Sequence, residues 1–241
     1  MSFRPRPVQT VFAALGMALL VGLGVWQLQR LQWKLGLIAK VEERIHESAA
    51  PFSGVLASWE GHQDTEYTPV VATGVFRNDL EAHVYGTLEG EAGYYIFTPL
   101  ELSGADWPEG TFVYVNRGFA PLALKDPASR PDSEIDGPIT VKGLFRSPER
   151  EGGIVKMVAA KDDPVSNFWH LRDPALFSKS AGIAALPAYI DSFGEENPAP
   201  WPRGGTTRVD FTNRHLEYAL TWFGLAAALF AVWLAYSLKR R

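Results

Sequence analysis

Residues 8–29 read VQTVFAALGMALLVGLGVWQLQ, and residues 218–238 read YALTWFGLAAALFAVWLAYSL; neither run contains a charged residue. A helix of about 21 residues, rising about 1.5 Å per residue, spans roughly 30 Å, the thickness of a bilayer's hydrocarbon core. The two runs therefore predict transmembrane helices at 8–29 and 213–238, with a domain at 30–212 between them. Arg4 and Arg6 precede the first run, and Lys239, Arg240 and Arg241 follow the second. Basic flanks favour the cytoplasmic side, so both tips are expected there and the middle is expected to be exported. The first run is longer than a signal-peptide core. It enters Trp26-Gln27-Leu28-Gln29-Arg30 without a small-x-small cleavage site, so it is read as retained. The N-terminal residues lack the extended Arg/Ser-rich amphipathic stretch of a transit peptide, which favours a bacterial inner (cell) membrane, with the central domain periplasmic.

All 27 acidic residues of the chain lie in 31–217, against 17 of its 23 basic ones, so this interval carries 17 − 27 = −10. An acidic domain lacks the basic face that a nucleic-acid binder needs. With no Cys, the chain has no thiolate to offer a metal. Beyond the first span, Leu31, Leu35, Ile38, Val41 and Ile45 keep near-helical spacing, so that helix is expected to continue until Pro51 and Gly54 break the pattern. Segments 69–77, 82–88, 94–102, 111–117, 139–145 and 188–193 are rich in β-branched and aromatic residues and bounded by turn formers, which predicts strands. A short helix is expected after Pro174, ending at Gly182. The Pro/Gly-rich stretch 195–205 reads as a linker. The expected fold is an α+β membrane protein: a hairpin of two transmembrane helices flanking a mainly antiparallel β domain, as a sheet or small barrel.

The second span opens Asn213-Arg214-His215-Leu216-Glu217-Tyr218, with Asn213 as a candidate helix cap. Seven residues at about 100° each bring Trp222 back to the face of His215, and Tyr218 shares it. Two readings stay open. An imidazole over an aromatic wall suits a flat apolar cofactor with a metal centre, such as a haem. The alternative is an interfacial belt, where His, Tyr and Trp collect regardless of function. Ala14, Ala18 and Gly22 with Gly224 and Ala228 form small-residue ridges through which the two spans are expected to pack. That packing would bring Trp26, Arg30 and Trp33 beside Arg214, His215 and Tyr218, with the arginines either pairing carboxylates or snorkelling. Asn116-Arg117-Gly118 reads as a strand-ending turn with a solvated charge, or as an anion or partner site. His46, His62, His83 and His170 have no ligand spacing. No nucleophile elbow, P-loop or dinucleotide fingerprint appears, and no enzyme is expected.

Several blocks together resemble one family. Trp26-Gln27-Leu28-Gln29-Arg30 with Trp33-Lys34, Gly93-Tyr94 with Thr98-Pro99-Leu100, and Val115-Asn116-Arg117-Gly118-Phe119 with Pro121 occur in order. Gly143-Leu144-Phe145-Arg146, Asn167-Phe168-Trp169-His170 with Asp173, and Asn213-x-His215-Leu216-x-Tyr218-Ala219-x-Thr221-Trp222-Phe223 follow. They resemble the Surfeit locus protein 1 family over nearly the whole chain, with Phe119 where the family usually has Trp. Residues 152–160 depart from the pattern. The resemblance implies a non-enzymatic, membrane-bound assembly factor for haem-copper terminal oxidase, mainly cytochrome c oxidase. It implies haem a as cofactor, with oxidase subunit I and a haem a synthase as partners. The family's haem-ligating His falls on His215, and the Trp of its last block on Trp222. On that footing Tyr218 would also pack the macrocycle, and topology and charge would turn Arg30 or Arg214 to the propionates.

Overall fold

The computed structural model describes residues 2–3, 5–149, 162–196, 199–206 and 214–239. The expected cap Asn213 and the segment 152–160 lie outside the described residues. In chain order the elements are β1 (Ser2–Phe3), α1 (Pro7–Ile45), β2 (Ala50–Pro51), α2 (Phe52–Glu60), β3 (Pro69–Phe76), β4 (Ala82–Leu88), β5 (Glu91–Leu102), β6 (Phe112–Pro121), β7 (Pro138–Arg146), α3 (Pro174–Ala181), β8 (Ala185–Ser192), α4 (His215–Ser237) and β9 (Leu238–Lys239). They form two compact units, 1–42 with 209–241, and 43–208.

In the first unit, α1 and α4 are each long and apolar enough to cross a membrane, and only 11% of the apolar window of each is buried. Water would penalise so much exposed apolar side chain, and lipid would not. As the spacing of Leu31 to Ile45 predicts, α1 runs on past its apolar stretch to Ile45. The helices are antiparallel neighbours: Trp233 Nε1 donates to Thr10 Oγ1 at 3.1 Å, and β1 pairs antiparallel with β9.

The packed ridge differs from the expected one. Ala14, Ala18, Gly22, Gly224 and Ala228 are exposed, and a Cβ added at Gly22 or Gly224 would meet nothing within 4 Å. The contact stripe instead carries Ala13, Gly16 and Gly24 on α1, and Ala219 and Ala226 on α4. A Cβ at Gly24 would lie 2.6 Å from the Phe223 ring, and one at Gly16 would lie 3.0 Å from Leu229. Large side chains of α4 seat over glycines of α1, so large-into-small packing decides the face.

In the second unit the six expected strands appear as β3 to β8, with ends shifted by a few residues. β3 pairs with β7, β7 with β8, β8 with β6 and β6 with β5, and β5 returns to β3. This circuit closes a five-stranded barrel. β4 forms a hairpin on β5 outside it, and β2 adds to β3. Most ladders are antiparallel, but β6–β8 and β2–β3 are parallel. Nine of the ten residues of β6 are buried, because both of its faces are covered. Val113 and Val115 join the cluster with Val70, Leu100, Phe145 and Ile190. Tyr114 and Phe119 join Phe97, Trp169, Phe177 and Tyr189 on the other side.

Two expectations are corrected. Residues 52–60 form α2, although Pro51 and Gly54 suggested a break. Phe52, Val55 and Leu56, with Trp59 behind them, recur at helical spacing and pack into the first cluster. Pro51 sits at the cap, where it removes no helical hydrogen bond. The stretch 195–205 is also more than a linker. Arg203 bridges Phe119 by two backbone bonds of 2.8 and 3.0 Å, and Gly205 donates to Ser192 O at 3.0 Å. The expected helix after Pro174 is α3. Asp173 caps it by accepting from Ala175 N at 3.0 Å, and Gly182 ends it at φ +68°.

Candidate functional site

His215 opens α4, and its Nδ1 lies 2.7 Å from Gln27 Oε1 on α1. An amide oxygen only accepts, so Nδ1 is the donor in this contact. This is how a second residue fixes the tautomer and aim of an imidazole that ligates a metal. Gln27 is the residue that sequence reasoning missed; its signal is the Trp26-Gln27 pair, where attention fell on the Trp and Arg.

The remaining candidates distribute around this bond. Ala219, one turn from His215, is fully buried in the helix contact. Trp222 is partly buried, and Tyr218 is half exposed. Arg214 precedes the helix and is exposed. Arg30, three residues beyond Gln27, is also exposed, and its guanidinium sits 5.1 Å over the Trp33 ring. The structure thus joins His215 to α1 through Gln27. Trp26 and Trp33 remain largely exposed.

The barrel unit holds the other motif residues, and most of them serve two buried polar networks, one around Asp191 and one around Glu81. Arg117 is fully buried over the Phe76 ring, at 4.9 Å, and its Nη2 donates to Ser133 O. It is therefore not a solvated turn charge. Burial holds its pKa below the usual arginine value, partly offset by Glu81 and Glu196. Gly118 has φ +121°, and a Cβ there would meet Arg203 O at 2.0 Å, so only glycine fits under the crossing chain. Asn116 Nδ2 donates to Asp191 Oδ1 at 2.7 Å, and Arg146 Nη1 to Asp191 Oδ2 at 2.8 Å. Arg146 Nε reaches Glu66 Oε2 at 3.0 Å, and Ser147 N donates to Glu66 Oε1 at 2.7 Å. Asn167 binds Glu81 O through Nδ2 at 2.6 Å and accepts from Trp169 Nε1 at 2.9 Å. Glu81 pairs with Arg130, and His83 Nε2 lies 3.3 Å from Glu81 Oε2. Burial would raise the pKa of Glu81, but the His83 and Arg130 bonds outweigh it, so the group stays a carboxylate.

Fold and site together define a membrane protein with two candidate spans and a closed β-barrel domain. Its candidate histidine, His215, opens the second candidate span. The chain belongs to the SURF1 family, whose model matches residues 14–227. It is 32% identical to Surfeit locus protein 1 of Homo sapiens, covering 88% of this chain and 72% of that protein. It is 32% identical to that of Mus musculus, covering 91% and 72%. A SURF1-like protein of Monosiga brevicollis is 31% identical, covering 88% and 81%.

Proposed function

We propose that this chain is a non-enzymatic assembly factor for cytochrome c oxidase that binds haem a and promotes its insertion into subunit I. In this reading it sits in a bacterial inner membrane with both termini cytoplasmic and the barrel domain periplasmic, and it receives haem from a haem a synthase. The observation that carries the reading is the Gln27–His215 bond. The donor set fits the group: His215 Nε2 supplies one nitrogen ligand, Trp222 and Tyr218 supply aromatic surface, and Arg30 and Arg214 supply cations for two propionates. The bound haem would be cargo rather than a reaction centre. A carrier must release what it holds, and ligation by a single imidazole suits both binding and transfer.

A second reading draws on the same bond, because it also clamps α1 to α4. The chain would then steady nascent subunit I without touching haem. The visible spectrum of protein purified from cells that make haem a separates the two. The carrier shows a Soret band that His215→Ala removes without loss of inserted protein; the scaffold shows none. In a deletion strain the carrier reading expects residual oxidase deficient in haem a. Normal haem a with missing copper would refute it, and normal amounts of both in fewer molecules would favour the scaffold.

A further inference from the structure

A groove of about 200 Å³ lies between the two helices of the first unit, where α1 starts and α4 stops. Ala13 of α1 and Leu229, Val232 and Trp233 of α4 wall it. Arg6, just before α1, and Tyr236, one residue from the end of α4, line it toward the helix ends. At the deep end the helices touch, since a Cβ on Gly16 would lie 3.0 Å from Leu229. The polar atoms of the wall are already used. Trp233 Nε1 donates to Thr10 Oγ1 at 3.1 Å, and Ser237 Oγ donates to Trp233 O at 2.8 Å. What the groove offers an occupant is apolar surface with a cation at its mouth. Arg6 is exposed there and makes no ion pair among the described residues.

Charge and size decide what fits. The two tips of the chain carry Arg4, Arg6, Lys239, Arg240 and Arg241 and no acidic side chain. In sequence the nearest acidic side chains are Glu42 and Glu217, at the far ends of α1 and α4. The mouth therefore calls for an anion and the walls for hydrocarbon. From Leu229 to Tyr236 the helix rises about 10 Å, so a volume of 200 Å³ leaves a cross-section of roughly 20 Å². That admits one hydrocarbon chain. It does not admit a partner helix, which is about 10 Å across.

We propose that this groove holds one acyl chain of an anionic glycerophospholipid, with the headgroup phosphate on Arg6. A guanidinium matches a phosphate through two parallel N–H bonds, which an ammonium does not reproduce. Gln9 and Tyr236, both exposed at the lining, add neutral donors for the headgroup oxygens. Tyr236 and Trp233 suit the level where lipid meets water. The basic tips enrich anionic lipid around the mouth, and the groove selects one molecule from it. The inference rests on α1 and α4 spanning a membrane and goes beyond haem carriage. It concerns the end of the helix pair opposite to His215.

The test uses the full chain in detergent micelles, free of haem and stripped of lipid, with bound lipid counted by native mass spectrometry. Dioleoylphosphatidylglycerol should bind saturably, one molecule per chain. It should bind about tenfold tighter than dioleoylphosphatidylcholine, the worth of one charge-assisted bond. Arg6→Gln should remove that preference. Val232→Trp fills the groove from an exposed position with every charge intact, and should weaken phosphatidylglycerol about tenfold or more. Val8→Trp, exposed and outside the groove, should leave binding unchanged. If Arg6→Gln fails to accumulate, Val232→Trp against Val8→Trp decides. Four outcomes would overturn the proposal. They are equal affinity for the two lipids, unaltered binding to Val232→Trp, release of the lipid by inorganic phosphate, or a lipid-free dimer in place of the lipid adduct. The count is made without haem, so its failure leaves the haem reading standing, and the reverse holds.

Discussion

His215 donates through Nδ1 to Gln27 Oε1 at 2.7 Å, so residues 188 positions apart tie the first turn of α4 to α1. One bond thereby links two of the family-like sequence blocks of the chain, the Trp-Gln block at the end of the first apolar run and the Asn-x-His-Leu block at the start of the second span.

That link makes Gln27 a positioning residue for the proposed ligand. Gln27→Leu should lower haem affinity about 10–100-fold, the usual cost of losing a residue that orients a metal-bound imidazole. His215→Ala should abolish ligation. Titration of haem into the detergent-solubilised variants, followed at the Soret band, measures both. Equal affinity of Gln27→Leu and the unaltered protein would detach the bond from haem binding.

The helix contact predicts a contrast between two glycines two residues apart. Gly24→Leu would force side-chain atoms into the Phe223 ring and should destabilise the helix pair by about 1–3 kcal/mol. Gly22→Leu meets open space and should change stability by no more than about 0.5 kcal/mol. Unfolding in a detergent–SDS titration compares them.

Glu81 should make the barrel unit acid-sensitive. Its pKa lies below the ordinary 4.5 when folded, because the His83 and Arg130 bonds exceed the effect of burial. A depressed carboxylate contributes its full stabilisation above the unfolded-state value. The contribution fades as pH falls below about 4.5 and through the lower folded-state value. Glu81→Gln should cost about 3–5 kcal/mol at neutral pH by stranding Arg130. It should also flatten the pH dependence of the unfolding midpoint in the acid range. A variant as acid-sensitive as the parent would place that sensitivity on another carboxylate.

Gly118→Ala should destabilise the same unit by at least about 2 kcal/mol, since φ of +121° and the approach of Arg203 O both exclude a Cβ. Gly90→Ala, with positive φ but open surroundings, should cost about 1 kcal/mol. Chemical denaturation followed by tryptophan fluorescence ranks the pair.

Strand placement was legible because each strand is a β-branched or aromatic run ended by Gly, Pro, Asn or Asp, a local property. Closure of the ring was not, because pairing of β3 with both β5 and β7 is decided by contacts between segments far apart in sequence. α2 was hidden by over-reading Pro51 and Gly54; the spacing of Phe52, Val55, Leu56 and Trp59 carried the signal. The helix-packing face was misjudged because small residues occur on more than one side of α1, and sequence does not say which glycine an aromatic ring will cover. Arg117 was taken for a turn charge because its burial depends on Phe76, Ser133 and the crossing of Arg203, none of them near in sequence. At the candidate site, the helical face of His215 followed from periodicity, but its acceptor, on the other helix, did not.

β8 has a further consequence, for the order of synthesis. It is the last strand of the barrel to be made, and it alone joins β7 to β6. Until residue 192 has emerged from the ribosome, β6 and β7 each present an unsatisfied backbone edge, and the ring cannot shut. Between the synthesis of Arg146 and that of Ser192 the nascent domain exposes two sticky margins, the condition under which wrong pairings and chaperone capture compete. A stop codon between Arg146 and Ala185 would freeze the chain at that stage. Such truncations should behave as substrates for proteolysis rather than as weakened versions of the folded protein.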